Sequence, residues 1–261
     1  SRQRGGGATD FVQCIVPPPL GTWHAAAAGI EHRVGANPPA WAKVGGTMYM
    51  PPQFNAKDRA HALALMRSHP FASLISTNEE GLPYVTHLPL HLEERGEQLV
   101  LLGHVAKPNQ HWRYLQARPT AVVTFLGPHS YLSPRVYPDV ARVPGWNYLA
   151  VHCTVQATLI EDPEGKDALL KTLIGDHEPS YAAQWRGLPR EFQLKMLAGI
   201  VGFELKVIDF QCKLKLNQHR PEAFARMREI YAAGSEDDRA LGEWMDRLGM
   251  NASPASPGAA S

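Results

Sequence analysis

The stretch PYVTHLPLHLEERGEQLVLLGHV (residues 83–105) places a polar turn, ERGE, between two apolar runs. Apolar and polar residues alternate before the turn, and the run QLVLLGHV follows it directly. This pattern predicts neighbouring antiparallel strands, as in a hairpin or a meander. Pro89 has no N–H to give to a strand ladder, so its presence favours an edge or an irregular, ligand-lined position.

The segments on either side extend this pattern. Further runs typical of strands are FASLIST (71–77), TAVVTFL (120–126), NYLAVHCTVQATLIE (147–161) and IVGFELKVIDFQCKLKL (200–216). Helical patterns lie at about 55–67, 108–117, 164–175, 190–198, 221–233 and 236–248. Asn55 is predicted to cap the first of them and Ser235 the last. Because strands and helices do not alternate regularly, a parallel doubly wound sheet is disfavoured. The predicted fold class is mostly β with helices (α+β), a closed or partly closed β-barrel.

The composition excludes several classes of protein. The chain has 261 residues with a formal net charge of +1, which predicts no strong attraction to nucleic acid or to a membrane surface. No apolar run approaches the ~20 residues that span a bilayer. Three widely spaced cysteines form neither a disulfide scaffold nor a zinc framework. We therefore expect a cytoplasmic protein without a membrane partner.

The two ends of the chain differ from its middle. The first 47 residues hold 8 Gly and 5 Pro and precede the first methionine, Met48. We interpret 1–47 as a disordered extension, with Met48 as a candidate true start, and 251–261 as a disordered tail. Between them we expect a barrel domain at 48–220 and a C-terminal helical pair at 221–250.

The segment GHVAKPNQHW (103–112) is a candidate phosphate site. A predicted strand runs into Lys107, and Pro108 is suited to open a helix. The free N–H groups of a helix start, together with a lysine, attract an anion, and Asn109 and Gln110 can add donors. The alternative is that His104 and Lys107 are ordinary surface residues and that Trp112 belongs to the core.

A second candidate lies in FLGPHSYLSP (125–134) and the nearby WNY (146–148), which we interpret as a stiff aromatic loop. Its residues combine a tight turn with flat faces and polar tips, as a flavin ring requires. They are Gly127, Pro128, Tyr131, Ser133, Trp146, Asn147 and Tyr148. Loop aromatics are also common at protein interfaces, and both interpretations hold if the ligand lies at a dimer seam.

Two weaker patterns have ordinary explanations. His87 and His91 would share one face of a strand, but no third ligand at a useful spacing indicates a metal, so none is predicted. Lys213 and Lys215, followed by Arg220, could form a basic strip that touches phosphates, although a solvated strand face explains them equally.

Several catalytic motifs are missing from the sequence. No GxGxxG follows a strand, no GxxxxGK[ST] occurs, and there is no GxSxG nucleophile elbow. The acidic residues are scattered without an evident acid–base pair. We therefore predict no catalytic side chain.

Seven segments, in this order, resemble the PaiB-like FMN-binding negative transcriptional regulators. They are MYMPPQF (48–54), HPFASLIS (69–76), THLPL (86–90), GHVAKPNQHW, FLGPHSYLSP, VPGWNY (143–148) and LKLNQHRP (214–221). The resemblance implies a split-barrel FMN-binding fold, like that of pyridoxamine-phosphate-oxidase-like flavoproteins. It also implies a homodimer with FMN at the seam.

The resemblance also implies roles for individual residues. By position in the motifs, Thr86, His87 and Leu88 would line the flavin, and His104, Lys107, Asn109 and Gln110 would meet its phosphate. Gly127, Pro128, Tyr131 and Ser133 would close over the ring, while Trp146 and Asn147 would come from the other subunit.

Three functions are compatible with these observations. The first is a dimeric FMN-binding negative transcriptional regulator or flavin-based sensor, with weak support for direct DNA contact because SEDD opens the last helix. The second is an oxidoreductase in which FMN passes electrons from NAD(P)H to a small acceptor, since the flavin itself carries that chemistry. The third is a barrel that has lost its cofactor, against which Lys107, Asn109 and Trp146 argue.

Overall fold

The computed structural model describes residues 48–250. The predictions for 1–47 and for 251–261 fall outside these residues. Within 48–250, no helix is both long enough and apolar enough to cross a membrane. Cys153 and Cys212 are buried free thiols, and Cys14 is outside the described range.

Seven antiparallel strands form one sheet in the order β2-β1-β5-β6-β7-β4-β3. Their bounds are β1 Phe71–Thr77, β2 Pro83–Pro89, β3 His91–Arg95, β4 Gln98–Ala106, β5 Thr120–Leu132, β6 Gly145–Ile160 and β7 Ile200–Lys215. The antiparallel β-rich prediction is therefore confirmed. One face of the sheet surrounds the main core, which includes Leu74, Val123 and Phe203.

The two edge strands of the sheet are consecutive in the chain, which gives the sheet the shape of a split barrel. The single strand predicted for 83–93 is wrong, because it breaks at Leu90, whose N–H donates to Pro70 O at 2.9 Å. The corner closes tightly against β4. A Cβ on Gly103 would lie 2.5 Å from Leu90 Cδ2 and 3.5 Å from Leu88 Cδ1, so only glycine allows this approach. Leu88 is accordingly a core residue.

Strand β5 is longer than predicted. The prediction of a loop after Leu126 is wrong, since β5 continues to Leu132 and pairs with the start of β6. The pairing register shifts between Leu126 and His129, so Gly127 and Pro128 form a bulge. Only the connection after Leu132 is a loop, and it contains a short 3₁₀ turn.

Seven α-helices among residues 48–250 cover the sheet. They are α1 Arg59–Ser68, α2 His111–Ala117, α3 Pro163–His177, α4 Tyr181–Gly187, α5 Arg190–Ala198, α6 Phe224–Ala232 and α7 Glu236–Arg247. The predicted cap at Asn55 is wrong: Asp58 caps α1 by accepting from the Ala60 N–H at 2.8 Å, while Asn55 forms a bridge to Lys213. The short helix α4 was not predicted.

Helices α6 and α7 form the expected C-terminal pair. Ser235 caps α7 in a capping box with Asp238, as the sequence predicts for this serine. Tyr231 of α6 and Leu241 of α7 join the main core. The pair is thus packed onto the barrel, and it lies against the far end of β5.

Candidate functional site

The turn between β4 and α2 carries the predicted phosphate ligands. The prediction that Pro108 opens the helix is wrong, because α2 begins at His111. The Lys107 N–H donates to Gly199 O at 2.8 Å and is therefore not free for a ligand. The Lys107 side chain is exposed, and the described part of the chain offers it no carboxylate partner. Gln110 is exposed as well, with one 3.3 Å bond to Pro108 O.

A cluster of hydrogen bonds centred on Thr86, which we call the Thr86 cluster, supports this turn. Asn109 Nδ2 donates to Thr86 Oγ1 at 3.2 Å, and Asn109 Oδ1 accepts from the Tyr84 hydroxyl at 3.3 Å and from the His111 N–H at 2.9 Å. His111 Nδ1 lies 2.8 Å from Thr86 Oγ1. Asn109 thus uses both ends of its amide inside the protein and shapes the turn, while Lys107 remains available to a ligand.

His111 is a site residue that the sequence analysis did not single out. It is fully buried, and its Nε2 has no hydrogen-bond partner among the described residues. Burial lowers its pKa to about 4, so the ring is neutral at physiological pH. His111 could have been identified from its place in the motif GHVAKPNQHW. The sequence of that motif, however, does not distinguish a buried imidazole from an exposed one.

His104 lies on β4, three residues before Lys107. It is half-buried, its Nδ1 has no partner within residues 48–250, and burial lowers its pKa. The indole of Trp112 donates to Lys107 O at 3.0 Å while its ring packs on the core. The turn is therefore tied to the core by Trp112, with His104 beside its base.

The two histidines of the β2 region do not act together. The break at Leu90 places His87 and His91 on different strands, so the expectation of a shared face is wrong. His87 is exposed, with its Nδ1 2.9 Å from Ser73 Oγ, whereas His91 Nδ1 lies 2.6 Å from Asp176. Among the residues described, no group of three potential ligands could hold a metal ion.

The paired ends of β5 and β6 form a second group, which we call the aromatic ribbon and define as residues 129–132 and 145–148. Tyr131 pairs with Trp146, and the two rings meet edge to face at 6.2 Å. His129 lies on the same side, 6.0 Å from the Trp146 ring. Tyr131 is 53% exposed and Trp146 is 46% exposed, which leaves a broad aromatic surface uncovered by the described residues.

The opposite side of the ribbon is buried. Asn147 is completely inaccessible, and its Nδ2 donates to the Tyr231 hydroxyl at 2.8 Å. Its side chain therefore bonds to α6 of its own chain, and the sequence alone did not reveal this contact. Ser133, at the end of the ribbon, accepts from the Arg135 N–H at 3.2 Å and shapes the loop.

The bulge residues face the interior. Gly127 and Pro128 are both buried, and a Cβ on Gly127 would lie 2.4 Å from Leu65 Cδ1 and 3.3 Å from Leu149 Cβ. Gly127 is therefore required by the packing of α1 on the sheet. In the single chain, neither residue presents a surface to a ligand.

The predicted site residues thus fall into two groups at opposite ends of β5. At one end, Thr86 pairs with Leu74, and Leu74 pairs with Val123 of β5. At the other end, Trp146 pairs with Tyr131 of β5. Val123 and Tyr131 are eight residues apart, or roughly 25 Å along a strand. The two groups therefore lie at different places along this strand.

The predicted basic strip on β7 is not an exposed surface. Lys213 is 5% exposed, its Nζ donates to Tyr49 O at 2.9 Å, and it lies over the rings of Tyr49 and Tyr148. Lys215 also lies over Tyr148. These contacts bury the charge of Lys213 among aromatic rings. The predictions of a solvated strand face and of a phosphate-binding strip are therefore both wrong for Lys213.

The two groups match the two halves of FMN. The turn offers the exposed ammonium of Lys107 and the exposed amide of Gln110, supported by the half-buried Thr86 cluster, as binding of a phosphate dianion requires. The ribbon offers flat aromatic surface for a ring system. The residues present therefore fit the cofactor, each group matching one part of it.

Comparison with known proteins agrees with this fit. The family model described as "Putative FMN-binding domain" matches residues 48–209, which is more than half of the chain. The "Protease synthase and sporulation protein PAI 2" of Bacillus subtilis (strain 168) is 34% identical over 176 residues, covering 67% of this chain and 84% of that protein. The matched residues include both ends of β5.

Solved structures share the fold at low identity. The flavocytochrome Anf3 from Azotobacter vinelandii is similar with a TM-score of 0.50 and 18% identity, over 62% of this chain and 70% of that one. A structure from Listeria innocua described as a "Putative Pyridoxamine 5'-phosphate oxidase" aligns with a TM-score of 0.36 and 14% identity, over 59% of this chain and 95% of that one. The antiparallel sheet described above is thus a fold that this chain shares with the flavocytochrome.

Proposed function

The chain belongs to the PaiB-like family of FMN-binding proteins, and on that premise we propose that it is a homodimeric, flavin-dependent negative regulator of transcription. Its cofactor is FMN. In this proposal each flavin lies at the seam between two protomers. Lys107 and the turn of one protomer hold the phosphate, and the aromatic ribbon of the other covers the ring.

The separation of the two groups along β5 carries this proposal. Thr86 is in register with Val123 of β5, and Trp146 is in register with Tyr131, eight residues or roughly 25 Å further along that strand. A two-fold axis between two antiparallel copies of β5 would bring each turn next to the partner's ribbon. Neither end would then be a complete site without the second copy.

An exposed apolar surface joins the two ends and supports the dimer. Phe71, Val85 and Leu126 lie on the same face of the sheet as Trp146 and are 46–66% exposed. Nothing within residues 48–250 covers them. Large contiguous apolar surfaces of this kind usually mark an interface, and a second copy of the chain is the occupant that also completes the flavin site.

The regulatory part of the proposal rests on relatedness. The matched Bacillus protein is named for protease synthesis and sporulation, which are cellular programmes rather than a reaction. Direct DNA contact through the last helix is disfavoured, because Glu236, Asp237 and Asp238 occupy its first turn. We therefore propose that regulation proceeds through a protein partner, in the cytoplasm, where the buried thiols Cys153 and Cys212 remain reduced.

Subunit complementation tests the seam. Lys107→Ala and Trp146→Ala each damage both sites of a homodimer, so each homodimer should bind FMN poorly. A mixed dimer, purified through two different tags, contains one site with both residues intact and one with neither. We expect it to recover tight binding of a single FMN, measured by quenching of flavin fluorescence.

Two results would contradict the seam. Mixed dimers that bind FMN as poorly as either homodimer would place Lys107 and Trp146 in the site of the same protomer. A monomer that binds FMN tightly would remove the need for a second copy.

The regulatory role is tested separately from the cofactor. Transcripts should rise in cells that lack the protein, and cells carrying only the Lys107→Ala variant should resemble them. If transcripts do not change while the purified flavoprotein consumes NADH or NADPH with many turnovers, the oxidoreductase alternative is correct and the regulatory proposal is wrong.

A further inference from the structure

The two faces of the aromatic ribbon have different partners. Its outer face carries Trp146 and Tyr131, which the described residues leave exposed. Its inner face carries Asn147 and Ser130, which alternate with them along the two strands. Whatever holds the inner face therefore determines where the outer rings lie.

Helices α6 and α7 hold that inner face. The Tyr231 hydroxyl of α6 accepts a hydrogen bond from the Asn147 Nδ2 at 2.8 Å, and both side chains are buried. At the start of α7, Asp238 lies close enough to Ser130 for the serine to influence its carboxylate. Burial alone would raise the pKa of Asp238, but hydrogen bonds from Ser130 and Ser235 outweigh it and lower that pKa.

The contact between Tyr231 and Asn147 is more specific than general packing. Asn147 makes one side-chain hydrogen bond, since its Oδ1 has no partner among the described residues. Tyr231 is thus the hydrogen-bond partner that orients the Asn147 amide within its buried position. Asn147 adjoins Trp146 in the chain, so a shift of α6 would be transmitted to the Trp146 ring.

We propose that Tyr231 is a positioning residue for the aromatic ribbon, and that the helical pair thereby controls how Trp146 meets the flavin. The inference rests on the proposed function where it concerns the flavin, because it takes Trp146 as part of the partner protomer's site. It adds a route of regulation: a protein that binds α6 and α7 would alter the flavin site from the opposite side of the sheet.

The test uses the full chain labelled with 5-fluorotryptophan. The Trp146 signal in the ¹⁹F spectrum is assigned with Trp146→Phe, and it is followed in flavin-free protein, where no cofactor can influence it. Tyr231→Phe removes only the hydroxyl, and we expect the Trp146 signal to shift or broaden. FMN affinity should fall roughly three- to ten-fold, the range that loss of one hydrogen bond usually produces.

A matched variant controls for loss of any tyrosine hydroxyl. Tyr137 donates to Asn217 Oδ1 at 3.2 Å, outside the ribbon. Tyr137→Phe should leave both the Trp146 signal and the FMN affinity unchanged. The double variant Asn147→Leu with Tyr231→Phe replaces both partners with apolar groups, so it should fold without a buried unpaired amide and yet retain the altered Trp146 signal.

The outcomes separate this inference from the proposed function. An unchanged Trp146 signal in both Tyr231→Phe and the double variant overturns the positioning role of Tyr231. An altered signal supports that role even if Trp146→Phe leaves FMN affinity intact. That latter result would contradict the place of Trp146 in the flavin site, and with it the proposed seam.

Discussion

At one end of β5, Thr86 bonds to Asn109 and His111, which lie 23 and 25 residues further along the chain. At the other end, Asn147 bonds to Tyr231, 84 residues away. The first cluster is assembled by two neighbouring motifs, and the second depends on a pair of helices beyond residue 209, where the match to the family model ends. The Thr86 end of β5 is therefore assembled within the family match, whereas the Asn147 end also depends on helices outside that match.

The largest expected effect concerns stability at low pH and belongs to the Thr86 end. Burial lowers the pKa of His111 to about 4, while the unfolded chain binds this proton near the ordinary value of 6.5. The unfolded state thus holds more protons between these values, so stability is highest above pH 6.5 and falls as the pH drops towards 4. The loss amounts to at most about 3 kcal/mol.

Urea unfolding at a series of pH values measures this loss. In His111→Gln, the fall in unfolding free energy between pH 6.5 and 4 should be shallower than in the parent protein. The exposed His177 provides the control, since His177→Gln should leave the slope unchanged. Equal slopes in all three proteins would show that His111 does not titrate differently in the folded state.

The next effect concerns the affinity of the same end for FMN. Lys107→Ala removes a charge that the described chain leaves without a carboxylate, so FMN affinity should fall about 10- to 100-fold, as for loss of a hydrogen bond to a charged group. Titration of flavin fluorescence measures it. Lys206→Ala removes another exposed lysine, on β7, and should have no effect. Equal affinity in both variants would place the phosphate elsewhere.

The smallest effect concerns the bulge that leads into the ribbon. Gly127→Ala would place a methyl group against Leu65 and Leu149, which should lower the unfolding free energy by about 2 kcal/mol through overpacking. Gly175→Ala is the matched change in an open position inside α3 and should raise it by about 0.5–1 kcal/mol. Thermal unfolding compares the two, and a neutral Gly127→Ala would mean that α1 can move away.

The sequence predicted those elements of the fold that are defined by local residue patterns. The strands at 71–77 and 200–216 follow from their apolar patterns, and the cap at Ser235 follows from its capping-box spacing. The break at Leu90 could not be predicted, because it arises from closure of the barrel against Gly103. The residues that neighbour Leu90 in the sequence carry no information about its contact with Gly103.

The candidate site shows the same division. Lys107 and Thr86 were named from motifs, and the structure places them beside the same turn. Asn147 is predicted to bind the cofactor of the other subunit, whereas its one side-chain hydrogen bond among residues 48–250 is to Tyr231. The roles proposed for both ends towards FMN stay predictions until the variants above are measured.

The buried thiols restrict how this protein could respond to oxidants. Burial raises the pKa of Cys153 and of Cys212 to about 12, so neither forms the reactive thiolate at neutral pH. These two cysteines, which are the ones within residues 48–250, are therefore poor candidates for signalling through a disulfide or a sulfenic acid. Electron exchange would instead be carried out by the flavin. A thiol-modifying reagent applied to this barrel would accordingly report its unfolding and not its redox state.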